Sequence, residues 1–211
     1  KRILIIHTGG TFGMVPMAPS RTLAPADVQD RLLAHVPEIT RIADIETEVV
    51  FNLDSSNMTP AHWRSLAAFI ASRADRYDGF VVIHGTDTMA YTASALSFML
   101  LNLPRPVILT GSQRPLVRIR SDARGNLVNA VEIAATDLAE VGVFFGTRLY
   151  RGNRTTKTSA ERYDAFASPN LPALAEVGVD IRFSAQARRA ASGSFSPFFD
   201  FDASVGVIVV F

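Results

Sequence analysis

Between residues 79 and 101 a strand, a tight turn and a helix follow one another, and this unit constrains the fold more than any other stretch. The run FVVI at 80–83 is apolar and rich in β-branched residues, which is typical of a buried strand. The polar run HGTDT follows at 84–88, and residues 89–101 are rich in Ala, Leu, Met and Phe, which favours a mostly buried helix. This succession is the half-unit of a parallel α/β sheet, in which ligands bind outside the carboxyl ends of the strands.

Thr86 and Asp87 therefore lie where the chemistry of such a sheet usually takes place, just after a sharp turn that Gly85 permits. A purely structural role is equally compatible with the pattern. In that interpretation Asp87 or Thr88 caps the first turn of the following helix. The local sequence leaves both roles open.

The remaining pattern predicts an α/β protein whose first domain is a three-layer, parallel-sheet fold of the flavodoxin or Rossmann type. We place this catalytic domain at residues 1–184, a linker rich in Ala, Arg and Ser at 185–204, and the first strand of a truncated second α/β domain at 205–211. Further strands are predicted at 3–6, 46–53, 106–109 and 141–145. Further helices are predicted at 26–36, from Thr59–Pro60 onwards and at 122–136.

Net charge, cysteine content and the length of apolar runs exclude several classes of function. The net charge of +1 provides no basic face for nucleic acid, and the absence of cysteine excludes disulfides, thiolate metal sites and a cysteine nucleophile. No apolar run reaches the roughly 18–20 residues that span a bilayer. The chain starts at Lys1 and enters a strand without a visible signal peptide, so a cytoplasmic protein without a membrane partner is expected.

Small hydroxyl residues follow glycine at three predicted strand ends, at Thr11, Thr86 and Ser112. A fourth strand is followed by Asp54, Ser55, Ser56 and Asn57. The glycine spacing matches neither a dinucleotide fingerprint nor a P-loop. Each hydroxyl taken alone, including that of Thr8, is best explained as bonded to its own turn, and the polar run at 54–57 as a plain turn. Their recurrence at one edge of the sheet favours a shared site.

A threonine hydroxyl is a weak nucleophile until a base takes its proton, and Lys157 is the candidate base. Lys1 and Lys157 are the only lysines in a chain that otherwise uses arginine. A desolvated lysine can be deprotonated, whereas arginine stays charged at neutral pH. An ordinary surface lysine is the alternative.

The sequence resembles the bacterial type I L-asparaginases, in the asparaginase/glutaminase family that uses a threonine nucleophile. The resemblance covers nearly the whole chain. Its motifs are TGGT at 8–11, DSS at 54–56, the run at 78–101 with HGTDT, TGSQ at 110–113, LYRGNRTTK at 149–157 and DAFASPNLP at 164–172.

The resemblance implies that Thr11 forms an acyl-enzyme on the side-chain carbonyl of L-asparagine, with L-glutamine a poorer substrate. It implies a Thr–Lys–Asp relay of Thr86, Lys157 and Asp87, and leaves open which threonine attacks first. Asp87 would also bind the substrate's α-ammonium group. The α-carboxylate would be bound by Ser55 together with the backbone around Asp54 and Ser56. Ser112 is placed with these substrate-binding residues. No metal or organic cofactor is implied.

This chain departs from the family's pattern in two places. Family members carry a tyrosine in the loop after the first motif, where this chain has Arg21, Thr22 and Leu23. Family members also have a smaller C-terminal domain that completes the active site across a homodimer or homotetramer interface. Of that domain only the strand at 205–211 is expected here.

Three other functions are compatible with the same residues. One is a glutaminase-type subunit that supplies ammonia to an amidotransferase. Another is an amino-acid sensor without catalysis, which the missing tyrosine leaves open. The last is a nucleotide-binding flavodoxin-like domain, which the glycine spacing disfavours.

Overall fold

The computed structural model describes residues 1–13, 32–189, 193–200 and 202. Eight strands form one sheet and two short strands form a separate ribbon. In chain order the strands are β1 (Arg2–Gly9), β2 (Asp44–Leu53), β3 (Gly79–Ile83), β4 (Val107–Thr110), β5 (Val141–Phe145), β6 (Arg148–Arg151), β7 (Thr156–Lys157), β8 (Phe166–Ala167), β9 (Ala175–Val177) and β10 (Ile181–Phe183).

Three helices are described from end to end, and short 3₁₀ turns lie in the loops between elements. The helices are α1 (Pro60–Ala71), α2 (Met89–Met99) and α3 (Ala123–Ala134), and the 3₁₀ turns are Thr11–Gly13, Pro37–Arg41, Ser55–Asn57 and Gly152–Arg154. Residues 32–35 are also helical, in agreement with the end of the helix predicted at 26–36. The rest of that helix, the loop at 15–25 and the strand predicted at 205–211 lie outside the described residues.

The order of the parallel strands confirms the predicted fold class. Strands β2, β1, β3, β4 and β5 are neighbours in that order and all pair in parallel. This is the flavodoxin-like order, in which the chain changes direction across the sheet between β1 and β3. A crevice opens at such a switch point. Thr11 follows β1 and Thr86 follows β3, so both predicted threonines flank it.

The two faces of the sheet carry separate cores because side chains alternate along each strand. In β1, Leu4 and Ile6 join a cluster with residues of α1 and α2, whereas Ile3 and Ile5 join a cluster with residues of α3. All four are fully buried. The three layers expected from the continuous apolar strand runs are therefore present.

Three further strands, none of them predicted from the sequence, extend the parallel sheet antiparallel at one edge. Strand β6 pairs antiparallel with β5, β9 with β6, and β10 with β9. These edge strands have three or four residues, too few for an apolar period to show in the sequence.

The segment predicted as a linker lies against the domain where it is described. The Arg188 carbonyl accepts a hydrogen bond from Ala139, and the Phe198 amide donates one to Met99. Phe195 and Phe199 pack on the core cluster beside α2. The domain boundary at residue 184 stays a prediction.

Candidate active site

Three glycines bring the turns after β1, β2, β3 and β4 into contact at the carboxyl edge of the sheet. Gly10, at φ +85°, lies so close to the next turn that an added Cβ would be 2.6 Å from the Gly85 Cα. A Cβ on Gly85 would be 2.5 Å from the Ser55 hydroxyl, and one on Gly111 would be 2.3 Å from the His84 carbonyl oxygen. These contacts leave no space for a side chain. The predicted convergence of the four strand ends is therefore present in the structure.

Thr86, Asp87 and Lys157 form a hydrogen-bonded cluster at this edge. The Lys157 Nζ lies 2.8 Å from the Thr86 Oγ1 and 2.6 Å from the Asp87 Oδ1. The lysine side chain is only 17% exposed, whereas that of Asp87 is 65% exposed. Lys157 is thus largely removed from water and bonded to a hydroxyl, unlike a lysine whose side chain extends into solvent.

A short ribbon outside the main sheet places Lys157. Strand β7 pairs antiparallel with β8, and Lys157 lies opposite Phe166. The Phe166 ring is buried, with its centroid 5.0 Å from that of Phe145 on β5. Packing of this aromatic pair therefore anchors the ribbon that holds Lys157 beside Thr86.

Gln113 contacts the same threonine and was not identified as a site residue from the sequence. The Thr86 hydroxyl donates to the Gln113 Oε1 at 3.3 Å. The Gln113 Nε2 donates to the carbonyls of Ser159 and Arg162, and its backbone N–H donates to the carboxylate of Asp122. Because both ends of the side-chain amide are bonded, its oxygen is fixed toward Thr86. The TGSQ motif at 110–113 contained this residue but gave no chemical reason to select it.

Thr11 and Thr8 have different surroundings. Thr11 begins the 3₁₀ turn after Gly10 and is partly exposed at the edge where the turns meet. Thr8 is buried and its hydroxyl donates to the Ile83 carbonyl at 2.9 Å, so it joins β1 to β3 as a structural group. The adjacent loop at 15–25, with Arg21 to Leu23, is outside the described residues.

The turn after β2 combines local bonding with contact to the site. The Asp54 carboxylate accepts hydrogen bonds from the Ser56 hydroxyl and N–H, which together hold the pKa of Asp54 below its usual range. Ser55 is buried beside Gly85. On the neighbouring turn Ser112 is also buried, and its hydroxyl has no hydrogen-bond partner among the described residues.

The side chains of Asp87 and Thr88 bond to other parts of the site and not to the first turn of α2. Thr88 occupies the N-cap position of α2, but its side chain makes no capping bond. Its hydroxyl instead donates to the Ser55 carbonyl at 2.7 Å, and Asp87 pairs with Lys157. Both side chains are used to connect the site's turns to one another.

Two buried histidines lie near this edge, and we expect them to make the protein sensitive to acid. Burial lowers the pKa of His7 and of His84 to about 4. Between pH 6.5 and 4 the unfolded chain then binds more protons at these histidines than the folded chain does. The contribution of the neutral histidines to the free energy of unfolding is therefore fully present above pH 6.5 and is lost as the pH falls to about 4. The loss should be about 3 kcal/mol per histidine. Urea unfolding at a series of pH values measures it, and His7→Gln should remove about half of the pH dependence. The exposed His35→Gln serves as control, and an unchanged slope in His7→Gln would contradict the prediction.

In the described part of the chain, no group of three or more His, Asp or Glu side chains is arranged to hold a metal ion. Among those residues no helix has the length and hydrophobicity needed to cross a bilayer.

Comparison with known proteins identifies the family. The sequence model described as "Asparaginase, N-terminal" matches residues 2–189. L-asparaginase 1 of Escherichia coli K12 is 53% identical over 186 residues, which cover 86% of this chain and 55% of that protein. The structure resembles L-asparaginase I from Vibrio cholerae, with a TM-score of 0.85, 46% identity, and coverage of 94% of this chain and 61% of that one. It also resembles a structure described as a probable cytoplasmic L-asparaginase from Campylobacter jejuni, with a TM-score of 0.76, 34% identity, and coverage of 90% and 59%.

The chain spans just over half the length of the curated relative and about three fifths of the solved ones. The matched region contains β1 to β10 and every residue of the cluster around Lys157. On the sequence match over residues 2–189 and the shared fold, the chain belongs to the asparaginase family.

Proposed function

We propose that the protein hydrolyses L-asparagine to L-aspartate and ammonia through a threonine acyl-enzyme. A threonine oxygen attacks the side-chain amide carbon, the C–N bond breaks, and ammonia leaves with a proton taken from the site. Water then hydrolyses the ester and restores the threonine. The observation that carries the proposal is the Lys157 amine, bonded at once to the Thr86 hydroxyl at 2.8 Å and to the Asp87 carboxylate at 2.6 Å. This is the arrangement of a hydroxyl, a base and an orienting acid.

The proposed roles follow the position of each group. Lys157 takes a proton from Thr86, and Asp87 orients the lysine. The Asp87 carboxylate is largely exposed, so it can also bind the substrate's α-ammonium group. Thr11 approaches the scissile amide from the neighbouring turn and is proposed to carry the acyl group. Ser55, with the backbone of Asp54 and Ser56, is proposed to bind the α-carboxylate. Ser112 on the turn after β4 is proposed to join these substrate-binding residues; its hydroxyl is buried and has no partner among the described residues.

An ammonia-release assay with L-asparagine and L-glutamine, on this chain and on the full-length protein, tests the proposal. Thr11→Val removes one hydroxyl while keeping the side chain's shape, so it should lower kcat by at least about 10³-fold with the fold intact. Circular dichroism checks the fold. Ammonia release by Thr11→Val at a rate near that of the wild type would contradict the role of Thr11.

The same assay decides among the alternatives. An ammonia-supplying amidotransferase subunit would prefer L-glutamine and depend on a partner protein. A sensor would bind L-asparagine or L-aspartate in titration calorimetry without releasing ammonia. The hydrogen bond of the Lys157 amine to the Thr86 hydroxyl favours hydrolysis over a sensor without catalysis.

We further propose that the full-length protein is a cytoplasmic homodimer or homotetramer. The description of the Campylobacter jejuni relative as cytoplasmic supports the location. The exposed Tyr91 supports self-association, since an aromatic side chain that is 65% exposed lies beside Asp87 and Lys157, and aromatic residues are enriched at subunit interfaces. Light scattering after gel filtration measures the subunit count.

We also propose that the catalytic domain ends at residue 184 and the linker at residue 204. A chain ending near residue 204 should therefore fold independently.

A further inference from the structure

A chain of hydrogen bonds between side chains ends on the peptide group that precedes Thr86. The indole Nε1 of Trp63 donates to the Thr92 hydroxyl at 2.9 Å. That hydroxyl lies 2.9 Å from the Nε2 of His84, whose Nδ1 lies 2.7 Å from the Gly85 carbonyl oxygen. His84 and Thr92 are buried, 1% and 0% exposed, and Trp63 is partly buried on α1. None of these three residues was predicted from the sequence to belong to the site.

The donors and acceptors fix one arrangement of protons in this chain. A carbonyl oxygen only accepts, so the Nδ1 of His84 carries a proton. Burial keeps the imidazole neutral by lowering its pKa to about 4, and Nε2 is therefore an acceptor. Thr92 donates to Nε2, and its oxygen accepts from Trp63, whose indole can only donate. Every polar side-chain atom of the three residues then has a partner, and His84 is locked in one tautomer.

The last bond of the chain controls the orientation of the Gly85–Thr86 peptide. In a trans peptide the C=O and N–H groups point in opposite directions. With the Gly85 carbonyl bonded to His84, the Thr86 N–H points away from the imidazole. Within the described residues this N–H has no hydrogen-bond acceptor. It is a free donor beside a reactive hydroxyl, as an oxyanion site requires.

We propose that His84 is a positioning residue, which through its bond to the Gly85 carbonyl holds the Thr86 N–H toward the oxyanion that forms on the substrate. The catalytic part of this inference rests on the proposed function. The orientation of the Gly85–Thr86 peptide is independent of the proposed function, and it can be measured without substrate.

Two substitutions in the full-length protein separate the bonds that His84 makes. The amide nitrogen of His84→Asn takes the place of Nδ1 and keeps the donor to Gly85. The longer His84→Gln reaches the place of Nε2, so it keeps the contact with Thr92 and loses the donor to Gly85. Both replace a buried imidazole by an amide, which makes each the control for the other's effect on stability.

We expect His84→Gln to lower kcat for L-asparagine by about 10²-fold while KM changes by less than about threefold, because a misplaced oxyanion donor acts on the transition state alone. His84→Asn should retain kcat to within about fivefold, since the bond to Gly85 survives. A purely structural role predicts that both variants lose activity in proportion to their loss of thermal stability. Equal kcat losses in the two folded variants, or no loss in His84→Gln, would overturn the inference.

Nuclear magnetic resonance supplies the readout that needs no activity. Histidine labelled with ¹⁵N should show the His84 proton on Nδ1. The Thr86 amide resonance should move in His84→Gln and stay near its wild-type position in His84→Asn. A proton on Nε2, or an unmoved Thr86 amide in His84→Gln, rejects the positioning role. If the wild-type protein releases no ammonia, the proposed function fails and the amide shift still decides the orientation of the peptide.

Discussion

The Lys157→Met variant is expected to hydrolyse L-asparagine at least about 10³-fold more slowly than the wild type, with its fold unchanged. Methionine fills a similar volume but cannot accept a proton, so the Thr86 hydroxyl loses the base 2.8 Å away. The Asp87 carboxylate is also left without its cation. Because Asp87 is largely exposed, water can solvate it and the loss of stability should stay small. Initial rates of ammonia release, compared with thermal melting, measure both effects.

Two controls define the role of the amine. Lys1→Met removes the only other lysine, which pairs with Asp78 near the amino-terminal end of β1, and it should leave kcat unchanged. Lys157→Arg keeps the positive charge but cannot give up its proton at neutral pH. It should be nearly as inactive as Lys157→Met. Substantial activity in Lys157→Arg would show that the site needs a charge and not a base, and would reject the proposed relay.

Gly10→Ala should destabilise the protein by about 2–4 kcal/mol and abolish most activity. Gly10 has φ +85°, which an alanine adopts only with strain, and its Cβ would lie 2.6 Å from the Gly85 Cα and nitrogen. Both obstructing atoms belong to the backbone, so no rotation of a side chain can relieve the contact. The turns that carry Thr11 and Thr86 must separate. Urea unfolding and the ammonia assay together test this expectation.

Gly125 provides the matched control for this substitution. It lies on an exposed face of α3, and a Cβ added there meets no atom within 4 Å. Gly125→Ala should therefore raise stability by about 0.5–1 kcal/mol and leave kcat unchanged. If Gly10→Ala were as stable and as active as Gly125→Ala, close contact of the two turns would not be a requirement of the site.

The central fold was predictable because its strands are buried on both faces and read as unbroken apolar runs. The run at 80–83 and the one at 3–6 both appear as strands, and the predicted ends of the helices differ by only one or two residues from the observed ones. The antiparallel edge of β6, β9 and β10 was missed. Those strands are short and half-exposed, and pairing to a neighbour distant in sequence determines them more than local preference does.

The reactive side chains that we propose for the site were also identifiable from the sequence, because Thr86 and Asp87 follow a buried strand and Lys157 is one of only two lysines. The residues that hold them were not. Gln113 bonds to Thr86, 27 positions away in the chain, and His84 bonds to Thr92, 8 positions away, as well as to the adjacent Gly85 carbonyl. An amide or an imidazole in the sequence gives no sign of the atom it will contact. Only the packing of the turns selects these residues.

The Lys157 ribbon has a consequence for how the protein loses function on heating. Strands β7 and β8 have two residues each and form a sheet of their own, whereas Thr11 and Thr86 extend directly from the central strands. Opening of the ribbon would withdraw the amine while the eight-stranded sheet and its helices stay intact. Inactivation can then precede any change in secondary structure, and it would reverse on cooling because nothing in the main body has to refold.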